Sequence, residues 1–234
     1  MRRTTLVLVA TAMLLIIGHA QQPPAWVSTA NLWDASLVRD MLRIPGTHIV
    51  LACGSGNEHL FYIWRSDDDG QNWTPIYGGT NRSWSTSKLA RDSISGRIWA
   101  VYYSDESQNT FTYSNDTGRT WTNVATPFSN PRIYPITIEI IGNYVYLGAL
   151  IDSPYSICLY RLNQTTLVWE IAMQYPQCNI IDRLKYYNGK LIVIATDLTQ
   201  NQKRVFTHTP AELDAKAIPI GKAETLEAGT KTEK

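Results

Sequence analysis

Long apolar runs are nearly missing from this sequence. One stands near the amino terminus, too short to span a bilayer comfortably, and no other stretch could cross a membrane. Cysteine is scarce, with three in 234 residues. Cys53, Cys158 and Cys178 have neither the spacing of a zinc site nor that of a thiol-redox motif. No metal or other cofactor is therefore expected. Charge is also thin: 18% of residues are charged and the formal net charge is +1. There is no basic excess to hold nucleic acid and no acidic block to store cations. A sustained 3.6-residue period is missing beyond the first segment, which argues against a helical bundle.

What is present begins with the amino terminus. Met1-Arg2-Arg3 is cationic, Leu6 to Ile17 is almost unbroken apolar sequence, and Gly18 and Ala20 are the small residues of a cleavage site after Ala20. Residues 1–20 read as a secretory signal peptide; the alternative is an uncleaved anchor. Either places the protein outside the cell, secreted or on its surface. Cleavage removes Arg2 and Arg3 and leaves 19 bases against 20 acids, a net charge of −1. In an oxidising compartment Cys158 and Cys178, close in sequence, are candidates for a disulfide, with Cys53 left over; the alternative is three ordinary core cysteines. Asn-x-Ser/Thr sequons stand at Asn72, Asn81, Asn115 and Asn163. Asn72 and Asn115 fall inside the repeat below, so Asn81 and Asn163 are the stronger glycosylation candidates.

The aromatic content is 8 Trp and 13 Tyr against only 4 Phe, and much of it repeats. Ser66-Asp67-Asp68-Asp69-Gly70-Gln71-Asn72-Trp73 and Ser114-Asn115-Asp116-Thr117-Gly118-Arg119-Thr120-Trp121 share the pattern Ser-x-Asp-x-Gly-x-x-Trp. Each follows an aromatic-rich run, and the two Trp are 48 residues apart. The same step reaches Trp169, in a copy that has lost the Asp and Gly, and then Ala217, in a degraded copy ending at Ile220. β-Branched and aromatic runs broken by Gly142-Asn143 and Asn188-Gly189 read as hairpins. Each unit amounts to about four strands, the length and composition of a propeller blade. The expected fold is all-β: a β-propeller of about four four-stranded blades over residues 21–221, either incomplete or closed by a partner, followed by a disordered polar tail over 222–234. The motif is expected at the turn between third and fourth strands. There the Asp caps loop amides, the Gly supplies positive φ, and the Trp packs beneath.

The two full motifs resemble the Asp box, the bacterial neuraminidase repeat of sialidases and of several propellers that are not sialidases. In that family the boxes lie on the rim, away from the central site. The resemblance implies, for an enzyme, three arginines clamping a carboxylate, a Tyr–Glu nucleophile pair and an Asp acid/base. Leu42-Arg43-Ile44-Pro45 is similar to the family's first-arginine motif, with Leu in place of the aromatic. Arg43 is thus the candidate catalytic residue; internal alignment places it instead in a turn between first and second strands. No third arginine and no convincing Tyr–Glu pair can be placed.

A second candidate site comes from the repeat itself. Arg39-Asp40, Arg91-Asp92, Glu139 and Asp182-Arg183 occupy matching places on the first strand of each unit. On the innermost strands of a propeller these charges would face a central channel and bind a polar ligand, or would join neighbouring blades as salt bridges. Trp33, Tyr77, Trp84, Tyr134, Tyr155 and Tyr175 are candidates to stack on sugars or to fill the core. The leading expectation is a secreted or surface module that binds a glycan or a protein. The alternatives are an exo-sialidase and a structural propeller that self-associates through an open edge.

Overall fold

The computed structural model describes residue 32 and residues 35–56, 60–82, 87–102, 111–127, 133–151, 157–197, 200–222 and 225–226. Residues 1–20, read above as a signal peptide, lie outside them. Among the described residues no helix is long and apolar enough to cross a membrane. The chain is all-β with antiparallel pairing, interrupted by one short helix.

The strands follow one another as meanders. β1 (Ala35–Arg43), β2 (Val50–Gly56), β3 (Leu60–Ser66) and β4 (Thr74–Arg82) form the first sheet. β5 (Ser87–Arg91), β6 (Ile98–Tyr102), β7 (Phe111–Ser114) and β8 (Thr122–Val124) form the second. β9 (Ile133–Ile141), β10 (Tyr144–Ile151), β11 (Ile157–Asn163) and β12 (Val168–Tyr175) form a third unit. β13 (Ile180–Tyr187), β14 (Lys190–Asp197) and β15 (Gln202–His208) form a fourth, joined to the third by the Leu150–Ile180 pair between β10 and β13. The first strands adjoin in succession: β1 beside β5, β5 beside β9 and β9 beside β13. No contact of that extent joins β13 back to β1.

The apolar runs are explained by what lies on each side of a strand. β6 is buried along its whole length. Ile98, Ala100 and Tyr102 pack with Leu51, Cys53, Phe61 and Ile63 of the first sheet, whereas Trp99 and Val101 pack toward the third unit. A strand covered on both faces has no polar face to alternate with. The two clusters either side of β6 hold most of the buried apolar surface, the main favourable term in folding.

Three expectations need correction. The fourth unit does not end in a fourth strand of its own. After β15 the chain forms α1 (Pro210–Lys216) and then β16 (Ile218–Lys222), which pairs with β12 from Ile171–Ile218 to Val168–Lys222. The helix begins at a capping box in which Thr209 and Glu212 satisfy each other's amides, and it packs over β12, delivering the chain to that strand's free edge. The tail expected to be disordered is partly structured, because β17 (Thr225–Leu226) pairs with β8. The Cys158–Cys178 disulfide is not formed, and all three cysteines are free. Cys158 shares a sheet face with Tyr160 and Gln174, to which its thiol bonds, whereas Cys178 sits near Asp197 and Arg204. Burial pushes both thiols up.

Candidate functional site

The two Ser-x-Asp-x-Gly-x-x-Trp segments occupy the turns β3–β4 and β7–β8. Each is closed by the same bonds. The hydroxyl of Ser66 accepts from the Gly70 amide at 2.8 Å, as Ser114 does from Gly118 at 2.8 Å. Asp68 Oδ1 accepts from the Gln71 and Asn72 amides at 3.0 and 2.8 Å; Asp116 Oδ1 accepts from Arg119 and Thr120 at 3.0 and 2.9 Å. The indole N–H of Trp73 donates to the Gly70 carbonyl at 2.9 Å, and that of Trp121 to the Gly118 carbonyl at 3.1 Å. Gly70 and Gly118 have φ of 90° and 87°, a region that favours glycine. The Asn72 amide, followed by the Ser66 hydroxyl, holds the Asp68 carboxyl down to about 2. Burial alone would raise Asp116, but bonds from Thr120, Ser114 and Arg119 carry it to about 2. These carboxylates are fully used inside their turns, so the turns are structural.

The third copy, β11–β12, closes differently. Asn163 Oδ1 accepts from the Thr165 and Thr166 amides at 3.0 Å each, and Leu167 takes φ 55°. Trp169 donates outward, to the Ala125 carbonyl of the second unit at 2.9 Å. Asn163, a glycosylation candidate, is therefore a turn cap. Asn81 lies in the backbone of β4.

The first-strand charges fall into two groups. Asp40 on β1 accepts from the Leu89 amide of β5 at 3.0 Å and pairs with Lys88 at 3.6 Å. Glu139 on β9 accepts from the Tyr186 amide of β13 at 3.0 Å and pairs with Lys185 at 3.4 Å. Each carboxylate ties one first strand to the next. Asp92 is buried and caps its own turn, accepting from the Ile94 amide at 2.9 Å and the Ser95 amide at 3.3 Å. Burial opposes its ionisation, but these bonds and those from the Ser95 hydroxyl and Gln164 prevail and hold its carboxyl below the usual range. Asp182 pairs with Lys203 at 3.0 Å and accepts from Thr196. The arginines differ: Arg39 and Arg183 are exposed and Arg91 is half-buried, and none has an ion pair recorded among the described residues. Two of the acids, Asp40 and Glu139, act as joints between first strands, whereas Asp92 and Asp182 are used chiefly within their own units.

Arg43 is 63% exposed and ends β1. It pairs with Asp69 at 3.2 Å and donates to the Thr47 carbonyl at 3.3 Å, while His48 also meets Asp69. The arginines with recorded partners engage separate sets: Arg65 with Asp67 and Thr117, Arg97 with Asn115 and Gln164, Arg161 with Glu170 and Asp214, Arg204 with Asp197 and Gln177. Of the aromatic candidates, Tyr77 and Tyr175 pack in the core clusters and Tyr134 is half-buried. Trp33, Trp84 and Tyr155 lie outside the described residues.

Sequence reading missed the cluster around Arg161. This arginine is 3% exposed, bonds Glu170 at 2.6 Å, Asp214 of α1 and the Tyr146 hydroxyl at 3.3 Å, and lies 4.0 Å over the Tyr144 ring. Burial disfavours its charge, yet these partners hold it more firmly protonated than usual. The repeat carries its signal, because Arg65 and Arg161 stand two repeat lengths apart.

No family model matches the chain, and no curated protein sequence matches it. Among solved structures, Sqt1 of Saccharomyces cerevisiae is similar with a TM-score of 0.38 and 7% identity, over 73% of this chain. The chain spans 61% of the length of that protein. A likeness so distant bears on neither fold nor function.

Proposed function

We propose that this chain is a secreted or surface module built as an arc of four propeller blades, and that it binds an anionic ligand, an acidic glycan or an acidic protein segment, at the arginines of its first strands. The Ser-x-Asp-x-Gly-x-x-Trp turns act as Asp boxes and build the rim. The observation that carries the reading is the division of labour on the first strands. Asp40 and Glu139 are consumed by amides of the adjoining strand, whereas Arg39, Arg91 and Arg183 on β1, β5 and β13 have no carboxylate partner among the described residues. Guanidinium groups without an internal carboxylate suit carboxylate, sulfate or phosphate ligands.

Binding of the mature chain to sialylated and sulfated glycans and to acidic peptides tests this. The expected result is salt-sensitive binding that falls at least about tenfold in the Arg39→Ala, Arg91→Ala, Arg183→Ala triple variant and is unaltered in Arg119→Ala, on the rim. Binding that ignores the triple variant overturns the site. Release of a fluorescent aglycone from a sialoside, lost in Arg43→Ala, would replace the reading with the exo-sialidase alternative.

A further inference from the structure

Among the described residues, two buried side-chain polar atoms have no hydrogen-bond partner: the hydroxyl oxygen of Tyr175 and Nε2 of His208. They belong to one contact. Tyr175, 2% exposed, ends β12. Its ring packs against Phe206 and His208 of β15, with centroids 4.7 and 5.8 Å apart. This is a seam between the third unit and the fourth. Buried polar atoms are nearly always bonded, so two orphans in one contact call for a reason.

His208 also stands at a corner of the chain. β15 ends at it, Thr209 caps α1, and the chain then crosses β12 and pairs with it as β16. The two sides of this corner are held unequally. β15 is laddered to β14 over its whole length, from Asp197–Gln202 to Leu191–His208. The strap of α1 and β16 is anchored by its buried Leu213 and by the Asp214–Arg161 pair. Ile218 and Ile220 of β16 are 60% and 44% exposed, so its ladder to β12 carries little apolar burial. Segments with few buried contacts open first. Burial holds the His208 imidazole below the usual histidine range; Glu212 of α1 opposes this and Lys216 of α1 adds to it. The Glu212 carboxylate is occupied by the Thr209 amide at 2.7 Å. From β12 the imidazole meets Tyr175, whose hydroxyl is kept protonated by burial, and from β14 its opposite residue is the uncharged Leu191.

We infer that His208 is a proton-operated latch for the strap of α1 and β16. The neutral ring packs on Tyr175 and keeps the corner shut. An imidazolium carries a proton on each nitrogen, and the closed seam supplies no bonded acceptor for Nε2–H. Water must reach that nitrogen, and the strap is the side that yields. Its release takes Asp214 away from Arg161 and uncovers the outer edge of β12, a row of backbone donors and acceptors open to another strand. A base whose folded pKa lies below the unfolded value of 6.5 stabilises fully above that value, and the contribution is lost as pH falls toward the folded one. The latch therefore opens below about pH 6.5, well above the range in which Asp68 and Asp116 titrate. It uses none of the first-strand arginines.

Amide hydrogen exchange of the mature chain, read as protection factors at about pH 7.5 and about pH 5.5, either side of the usual histidine value, tests the latch. The amides of β16 should lose protection at least about threefold at the lower pH, a modest part of the tenfold that a single pKa unit carries in an equilibrium constant, while those of β10 and β11 stay as they were. His208→Phe keeps a ring against Tyr175 but cannot take a proton, and it should hold β16 protected at both pH values. Nuclear magnetic resonance of the unaltered chain gives a second readout: the His208 ring should titrate below its ordinary value, with a midpoint shared by the opening of β16. Protection of β16 that ignores pH overturns the inference. So does a loss of protection that persists in folded His208→Phe, or a His208 titration unconnected with β16. Should His208→Phe fail to fold, the titration of the unaltered chain decides alone.

Discussion

The turns Ser66–Trp73 and Ser114–Trp121 are the same object in two surroundings. Corresponding hydrogen bonds agree closely, from the Ser–Gly bond at 2.8 Å in both to the indole bond at 2.9 and 3.1 Å. Yet Gly118 is pressed against Leu51 of the neighbouring sheet, whereas the missing Cβ of Gly70 meets only its own Trp73, at 3.5 Å. Internal closure is therefore independent of packing, and the energetic weight of each residue is set by what lies outside the turn.

Substitutions break that comparison in order of size. Trp121→Ala empties a filled place in the core cluster with Leu51 and Phe61 and should cost about 3–5 kcal/mol, while Trp73→Ala, at a partly exposed position, should cost about 1–2 kcal/mol; urea unfolding of both variants reads the difference. Equal losses would mean that the indole works only within its own turn. Gly118→Ala combines the left-handed penalty of about 1–2 kcal/mol with overpacking against Leu51 of about 1–3 kcal/mol. Gly70→Ala should show the first part alone, and the same unfolding curves test it.

The carboxylates sharpen the likeness instead. Asp68 and Asp116 both have folded-state pKa of about 2, below the usual value near 3.9 of an unfolded Asp. Lowered acids stabilise above the unfolded pKa and lose that contribution as pH falls through the folded one. Stability should therefore drop between about pH 4 and pH 2, and Asp68→Asn and Asp116→Asn should each flatten that drop in thermal melts. A pH slope unaltered by both would remove the carboxylates from the turns' energetics.

The smallest effect concerns the residue before each glycine. Asp69 and Thr117 take φ of 55° and 58°, which a β-branched residue resists more than Asp or Asn does. Thr117→Asn should gain about 0.4–1 kcal/mol, read as a rise in melting temperature. A loss would show that the Thr117 hydroxyl, 3.3 Å from Arg65, matters more than backbone ease.

Much of this was legible in the chain. The 48-residue recurrence placed both complete motifs at the turn between third and fourth strands, where they lie. It failed at the fourth unit, where counting forward to Ala217–Ile220 implied another strand of the same unit. Thr209-Pro210-Ala211-Glu212 is a readable helix start, but its consequence, that β16 leaves β15 for the edge of β12, is not local. The acids of the first strands were found as a set while their role was left open. Asp40 reaches an amide 49 residues on, and no pattern within one repeat reports that.

The sequence alone determined the turns and the strand alternation, because their bonds run between residues at most about one turn apart, and eight consecutive side chains contain donor, acceptor and glycine together. Only the tertiary structure decided which edge receives β16 and which carboxylates become joints between strands. Those outcomes depend on which strand edges and faces are still uncovered when distant segments meet, a competition among long-range pairings that no short stretch of sequence encodes.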